Sequence, residues 1–196
     1  MKKLRMILAL LLALSLAACA KSENPKSDAQ PAQENASAQA DVLVAYFSAT
    51  GSTKEVAKKI AAITDADIYE IVPAQAYSSE DLDYNDDDSR TSIEMNDPEA
   101  RPKIGSEAIS LEGYSTLYLG FPIWWGGAPR ILSTFVESYD FDGITVVPFC
   151  TSGGSGIGQS GDDLARQAGN GVWQAGQRFG ADASEAEVQE WIEGLQ

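Results

Sequence analysis

Continuous apolar runs alternate with amphipathic stretches from residue 41 to the end of the chain. Residues 42–47 are all apolar or aromatic, which is typical of a central strand covered on both faces. Residues 53–63 then place apolar side chains along one helical face. Further strands are predicted at 68–72, 114–121, 144–150 and, more weakly, 172–179, where Gly176 interrupts the pattern.

Further helices are predicted after Pro129, over residues 159–169, and from a capping box formed by Ser184 and Glu187. Strands and helices that alternate at short spacing build a parallel sheet through right-handed crossovers. The pattern therefore predicts one α/β domain over residues 41–196, a three-layer αβα sandwich with a five-stranded parallel sheet. Residues 74–112 show no clear period, and a helix within 104–111 is one interpretation of that stretch.

The first 18 residues differ from the predicted domain. A basic start precedes an apolar run over residues 7–16, which is too short to span a bilayer and is typical of a secretory signal peptide. Residues 16–19, Leu-Ala-Ala-Cys, resemble the lipobox of bacterial lipoproteins. That resemblance implies cleavage before Cys19 and lipid attached to it. Residues 19–40 contain no large apolar side chain, so we predict a disordered tether there.

The chain is strongly acidic, with 14 Lys and Arg against 29 Asp and Glu. Loss of the three cations in the predicted signal peptide would move the formal charge from −15 to −18. Such a protein repels nucleic acid and anionic membrane surfaces and attracts basic protein partners. Acidity that serves solubility alone is the simpler alternative.

Only two cysteines occur, Cys19 and Cys150. A disulfide between them is conceivable in an exported protein. It would, however, join a disordered N-terminus to the end of a predicted central strand. Lipidation of Cys19 would leave Cys150 as a lone thiol, which we expect to be a small buried side chain.

Three loops that follow predicted strands are rich in Gly, Ser, Thr or Trp. Residues 48–53 precede a helix, where hydroxyls and unpaired amides favour an anion; a Ser/Thr cap with a Gly turn is the alternative. Residues 122–129 carry Trp124 and Trp125 beside two glycines, which suits a planar aromatic ligand. An intermediate interpretation packs one tryptophan in the core and leaves the other for a ligand. Residues 151–158 offer many backbone amides and little side-chain bulk, with a flexible linker as the alternative.

Neither of two common nucleotide-binding motifs fits the sequence around these loops. No Lys follows residues 48–53 in the pattern of a Walker phosphate loop, which argues against nucleoside triphosphates. Residues 156–161 match G-x-G-x-x-G, with Asp182 about 20 residues further on. That fingerprint belongs at the first strand of a nucleotide-binding fold, whereas only one strand and one helix remain after it here. We regard this match as chance.

Together the three loops resemble those of flavodoxins. Residues 48–53 resemble the family's [ST]-x-T-G-N-T phosphate loop, with Ser52 where Asn is common. Two further segments resemble the family's ring-contacting loops, most closely those of exported flavodoxin-like lipoproteins: residues 120–126, Gly-Phe-Pro-Ile-Trp-Trp-Gly, and residues 149–156, Phe-Cys-Thr-Ser-Gly-Gly-Ser-Gly. The resemblance implies strand order 2-1-3-4-5 and flavin mononucleotide (FMN) bound where that order reverses, beyond the carboxyl ends of the strands.

The resemblance also implies the contacts. The phosphate would be held by Ser48, Thr50, Gly51, Ser52 and Thr53. The ring would lie between two loops, against Pro122, Trp124, Trp125, Gly126, Thr151, Ser152, Gly153, Gly154 and Gly156. In related flavodoxins a Gly-containing peptide turns over to accept a hydrogen bond from reduced flavin N5, and Gly126 or Gly127 would do so here. No metal ligand and no catalytic residue is predicted.

The leading hypothesis is therefore a monomeric one-electron carrier, lipid-anchored to a bacterial membrane on its periplasmic or extracellular face. A second hypothesis is an FMN-dependent quinone or flavin reductase on the same scaffold, although the chain has no His and no clear acid–base set. A third is a non-redox binding module that has lost the flavin.

Overall fold

The computed structural model of the protein describes residues 41–195. Strands and helices alternate along this part of the chain. The strands are β1 (Val42–Tyr46), β2 (Asp67–Glu70), β3 (Thr116–Pro122), β4 (Thr145–Thr151), β5 (Val172–Trp173) and β6 (Gln177–Phe179). The helices are α1 (Ser52–Thr64), α2 (Arg90–Asn96), α3 (Arg130–Glu137), α4 (Ser160–Ala168) and α5 (Glu185–Glu193).

All strand pairs are parallel, and the order is β2-β1-β3-β4-β5, with β6 also paired to β4. This confirms the predicted α/β class and strand order, with β6 as a small addition. In register, Tyr46 lies beside Gly120, and Pro122 lies beside Thr151. The carboxyl ends of β1, β3 and β4 therefore lie at the same edge of the sheet.

Both faces of the sheet are covered, as the apolar run of β1 predicts. Val44 and Tyr46 pack in a core cluster that includes residues of α1 and α5. Leu43 and Ala45 point to the opposite face, in a cluster that includes residues of α3 and α4. On β3, a Cβ at Gly120 would lie 2.2 Å from the Phe149 ring, so only glycine allows this ring to cross the strand.

The predicted fifth strand is divided in two. Val146 pairs with Trp173, and pairing resumes only at Phe149 with Gln177. Pro148 of β4 lies between these pairs and has no N–H to donate to a neighbouring strand. A Cβ at Gly176 would also lie 2.4 Å from Ile157 Cδ1 and 2.9 Å from the Pro148 carbonyl oxygen, so a residue without a side chain is needed between β5 and β6.

The sequence-based expectation for residues 74–112 was wrong in one respect. No helix forms within 104–111; the chain there is irregular, and Ile104 forms an isolated antiparallel bridge with Pro73. The helix of this stretch is α2 instead, and it starts where the Ser89 side chain accepts a hydrogen bond from the Ser92 amide. The second strand is also shorter than predicted: β2 ends at Glu70, whereas the sequence predicted a strand over residues 68–72.

Within residues 41–195, no helix is both long enough and apolar enough to cross a membrane. The predicted signal peptide (1–18), Cys19 and the tether (19–40) lie outside the described residues and stay predictions.

Candidate functional site

Three loops meet beyond the carboxyl ends of β1, β3 and β4. We call them the first loop (residues 48–53), the tryptophan turn (residues 124–127) and the glycine loop (residues 151–158). The buried Thr53 Oγ1 lies 2.8 Å from Thr151 Oγ1 and joins the first loop to the glycine loop. A Cβ on Gly158 would lie 3.7 Å from the Gly126 carbonyl oxygen, so the glycine loop also adjoins the tryptophan turn.

The first loop leaves backbone donors at the start of α1. Gly51 is the residue before the helix, with φ 95°, and no side chain caps the helix. The Gly51 amide itself is used, because it donates to Ser48 Oγ at 3.1 Å. The amides of the first helical turn have no acceptor within the helix. Unpaired amides at a helix N-terminus favour an anion, and the phosphate contacts of this loop stay a prediction.

The tryptophan turn is a tight two-residue reversal. The Trp124 amide donates to the Gly127 carbonyl oxygen, and the Gly127 amide donates back to that of Trp124, both at 2.9 Å. The central residues, Trp125 and Gly126, have φ of 45° and 80°. Two successive positive φ values are characteristic of a type I′ turn. Residues other than glycine rarely adopt a positive φ, so the turn holds the Trp125 backbone in a strained conformation.

The two adjacent indoles have different environments. Trp124 packs edge-on against Phe47, with ring centroids 5.4 Å apart, and against Tyr77 at 5.2 Å. Trp125 is 46% exposed. One indole is therefore part of the packed interior and the other faces solvent, which is the intermediate arrangement that the sequence left open.

A cavity of about 360 Å³ opens between the first loop, the tryptophan turn and the irregular segment before α2. It is lined by Thr50, Leu82, Tyr84, Thr91, Ile123, Trp124 and Trp125. Trp125 and Tyr84 are among the most exposed large apolar or aromatic side chains of the described residues, Tyr84 at 74%. A cavity with two exposed aromatic groups has the size and the lining of a small-molecule site.

The segment that carries Leu82 and Tyr84 is held by hydrogen bonds. The Thr91 amide and hydroxyl both donate to the Asp81 carbonyl oxygen. Ser78 and Asp81 exchange hydrogen bonds between amides and side chains. These contacts fix the wall opposite the tryptophan turn before any ligand enters.

An aromatic and ionic cluster supports the cavity from below Trp124. The Tyr77 hydroxyl donates to Glu94 at 2.6 Å, and Arg90 Nε donates to the other oxygen of that carboxylate at 2.7 Å. The Arg90 guanidinium also lies 4.0 Å from the centre of the Tyr77 ring. Burial, followed by the hydrogen bond to Glu94, raises the pKa of Tyr77 far above its ordinary value, so its hydroxyl stays protonated.

The glycine loop is held near its start, at Ser152. The Ser152 carbonyl oxygen accepts from Arg178 Nη2 at 2.6 Å, and the Ser152 amide donates to the Phe179 carbonyl oxygen at 3.2 Å. Ser152 Oγ donates to the Ser155 carbonyl oxygen. Gly153, Gly154 and Gly156 are exposed. None of residues 151–158 lines the 360 Å³ cavity; they lie beside the tryptophan turn.

Two protonated groups lie at the ends of the strands. Burial raises the pKa of the Cys150 thiol to about 12, and this cysteine is free and fully buried, as expected. Burial and the nearby Glu70 carboxylate raise the pKa of Tyr46 to about 12. Lys54 Nζ lies 2.7 Å from that carboxylate. The thiol and the phenol are therefore both protonated at neutral pH.

The comparisons with known proteins agree with the observed fold. The flavodoxin family model matches residues 41–195. The chain belongs to the flavodoxin family. Two solved structures assigned as flavoproteins are similar to it: one from Bacteroides uniformis (46% identity, 79% of this chain and 99% of that chain, TM-score 0.75) and one from Bacteroides eggerthii (45%, 79% and 96%, 0.73).

A flavoprotein from Lactobacillus acidophilus, solved in complex with FMN, shares the fold of this flavodoxin-family chain. It is 23% identical over 77% of this chain and 97% of that chain, with a TM-score of 0.57. No curated protein matches.

Sequence reasoning found the three loops of this flavodoxin-family protein but missed one wall of the cavity. Leu82, Tyr84 and Thr91 come from the segment whose period could not be assigned. One signal was available: Leu82 and Tyr84 are the only large apolar or aromatic side chains in the acidic run of residues 80–88.

Proposed function

We propose that this flavodoxin-family protein binds FMN at the carboxyl ends of β1, β3 and β4 and carries electrons. The observation that carries the proposal is the meeting of an uncapped helix N-terminus with a 360 Å³ cavity walled by Trp125. Thr50 belongs to both, because it is part of the first loop and lines the cavity. A molecule with an anionic end and a flat aromatic end fits this combination.

The first-turn amides of α1 would hold the phosphate. The Ser52 and Thr53 amides supply charge-assisted hydrogen bonds. The buried Thr53 hydroxyl would keep its contact with Thr151, which sets the distance between the first loop and the glycine loop. The fully reduced cofactor carries added negative charge, and the acidic surroundings oppose it.

Trp125 and Tyr84 would flank the ring within the 360 Å³ cavity. Both are exposed aromatic side chains on different chain segments that line the same cavity. Stacking of a flat ring on an indole or phenol removes apolar surface from water and adds a favourable quadrupole contact. FMN, when bound, accepts and releases electrons singly. The flavoprotein from Lactobacillus acidophilus, which binds FMN, supports the choice of cofactor.

A direct test compares FMN with riboflavin, which lacks the phosphate, in titrations of the purified full-length chain. Charge-assisted hydrogen bonds are worth about 1.5–3 kcal/mol each, so we expect FMN to bind at least roughly tenfold more tightly. The measurement is quenching of flavin fluorescence. Equal affinity for the two flavins would show that the first loop does not bind the phosphate. If neither flavin binds, the proposal that the protein binds FMN is refuted.

We propose a cationic partner for electron exchange. The cavity is bordered by an acidic segment, residues 80–88, that contains Glu80, Asp81, Asp83, Asp86, Asp87 and Asp88. Charge of this density steers cations toward the cavity. The reduced FMN-loaded protein should therefore react faster with a small cationic one-electron acceptor than with an anionic one, and added salt should shrink the difference.

A matched pair of variants locates this effect. Asp87→Asn with Asp88→Asn neutralises two exposed carboxylates next to the cavity. Asp65→Asn with Asp142→Asn removes the same charge at the opposite edge of the sheet, where helices end and strands begin. Only the first pair should reduce the preference for the cationic acceptor. An equal reduction in both pairs would assign the preference to net charge alone.

We also propose that the protein is exported and anchored to a bacterial membrane through lipid on Cys19. The support is the sequence of residues 1–19, with its basic start, short apolar run and lipobox-like tetrad. The mass of the mature protein tests it: the chain should begin at Cys19 and carry acyl groups, and Cys19→Ser should release it from the membrane fraction. A mature chain that still begins at Met1 would refute it.

A further inference from the structure

A second cavity, of about 190 Å³, lies between α3 and α4 beside the tryptophan turn. We call it the α3/α4 cavity. The backbone of Gly126 and Gly127 forms part of its wall, and it shares only Trp125 with the larger cavity. Its polar lining comes from Arg130, Ser133, Ser160, Asp163 and Gln167. At about 30 Å³ per water, it has room for roughly six waters or one small organic molecule, and it is too small for a flavin.

Two polar atoms in this cavity lack hydrogen-bond partners. Ser160 is 2% exposed, and its Oγ makes no hydrogen bond within residues 41–195. The same holds for Gln167 Oε1. No other buried side-chain oxygen or nitrogen of the described residues is unpaired. An unpaired buried polar group is costly, so two of them that line one cavity point to an absent partner.

Arg130 supplies positive charge to the same cavity. Its Nε and Nη2 donate to the Glu94 and Met95 carbonyl oxygens at 3.3 and 3.0 Å, which leaves further N–H groups. No carboxylate of residues 41–195 lies within ion-pair distance of Arg130, although this part of the chain is rich in Asp and Glu. The cavity is also bordered by the starts of α3 and α4, and neither helix has a side-chain cap.

We infer that the α3/α4 cavity binds a small oxyanion of the carboxylate class. Arg130, the Ser160 hydroxyl and the uncapped helix starts would donate to its oxygens. The Gln167 amide would join them with its nitrogen turned inward, because amide oxygen and nitrogen are assigned only from the hydrogen-bond network. The Asp163 carboxylate does not oppose this, since it is half exposed and paired with Arg166. The inference is independent of FMN binding.

The test uses matched probes and nuclear magnetic resonance on the ¹⁵N-labelled full-length chain. Sodium acetate and acetamide have the same shape and differ in charge, and they are compared at constant ionic strength. Acetate should shift the amide signals of Ser160, Gly161 and Ala128 in a saturable way, and acetamide should not. Equal effects of both probes, or shifts that grow without saturation, would overturn the proposed oxyanion site. The cavity would then be one that holds water only.

Ser160→Ala tests the assigned donor. The substitution removes a buried hydroxyl that has no partner, so the free protein should be as stable as the parent or more so. Affinity for acetate should fall roughly tenfold, the loss expected for one charge-assisted hydrogen bond. Gln167→Leu should give a similar loss and covers the case in which Ser160→Ala does not fold.

Ser138→Ala is the control, because it removes a serine hydroxyl outside the cavity; it should bind acetate as the parent does. An unchanged affinity in both Ser160→Ala and Gln167→Leu would overturn the site. Shifts confined to residues 51–53 would do the same, because they would assign acetate to the first loop.

Discussion

Trp125 should contribute to flavin binding in proportion to the surface it exposes. A tryptophan side chain offers up to about 250 Å². With 46% exposed, roughly 115 Å² remains in water. A ring stacked on one indole face would cover about half of that, roughly 60 Å², which is worth about 1.5 kcal/mol at about 25 cal/mol/Å². Trp125→Ala should therefore raise the Kd for FMN about tenfold.

The assay is fluorescence quenching of FMN on titration with the purified chain. The midpoint of urea unfolding of the flavin-free protein should change little, because Trp125 makes no ring contact with Trp124, Phe47 or Tyr77. Ile93→Ala, which trims an exposed apolar side chain outside the cavity, should leave the Kd unchanged. A Kd within twofold of the parent in Trp125→Ala would refute the stacking argument.

Three further predictions follow from single contacts. Thr53→Ala should lower the free energy of unfolding by about 1–3 kcal/mol in urea titrations, because the buried Thr151 hydroxyl loses its partner; changing both residues to Val should recover most of this loss, and failure to recover would contradict the pairing. Cys150, with a pKa raised to about 12, should resist a thiol reagent at pH 8 until the protein unfolds, so rapid labelling of the native protein would count against its burial. Gly126→Val should destabilise the protein by about 1–2 kcal/mol, because φ is 80° at this position and valine adopts such a backbone conformation only at a cost. The same substitution should bring the two one-electron potentials of bound FMN closer together in a redox titration. Unchanged potentials would exclude a role for this peptide in tuning the flavin.

The sheet and its loops could be predicted from the sequence because their signals are local. The continuous apolar run of β1 and the loop after it are each readable within about ten residues. Parallel strands then bring the loops together, since their carboxyl ends share one edge of the sheet. The Thr53 and Thr151 hydroxyls accordingly lie 2.8 Å apart, and the Ile123 amide donates to the Thr151 carbonyl oxygen at 3.0 Å.

Other features depend on contacts between distant residues and gave no local signal. α2 is only seven residues long, and Arg90 and Glu94 are fixed partly by Tyr77, outside the helix. The division of the fifth strand depends on Pro148, which belongs to a neighbouring strand. The α3/α4 cavity is lined by residues of two helices, and no short stretch of sequence indicates how these helices are placed relative to each other.

A crystal structure of the protein with FMN would test the proposed site. We expect phosphate density at the amides of Ser52 and Thr53, and a flat ring in the 360 Å³ cavity against Trp125. Tyr84 should lie on the other side of that ring. A flavin bound elsewhere, or a phosphate away from the start of α1, would refute the proposed site.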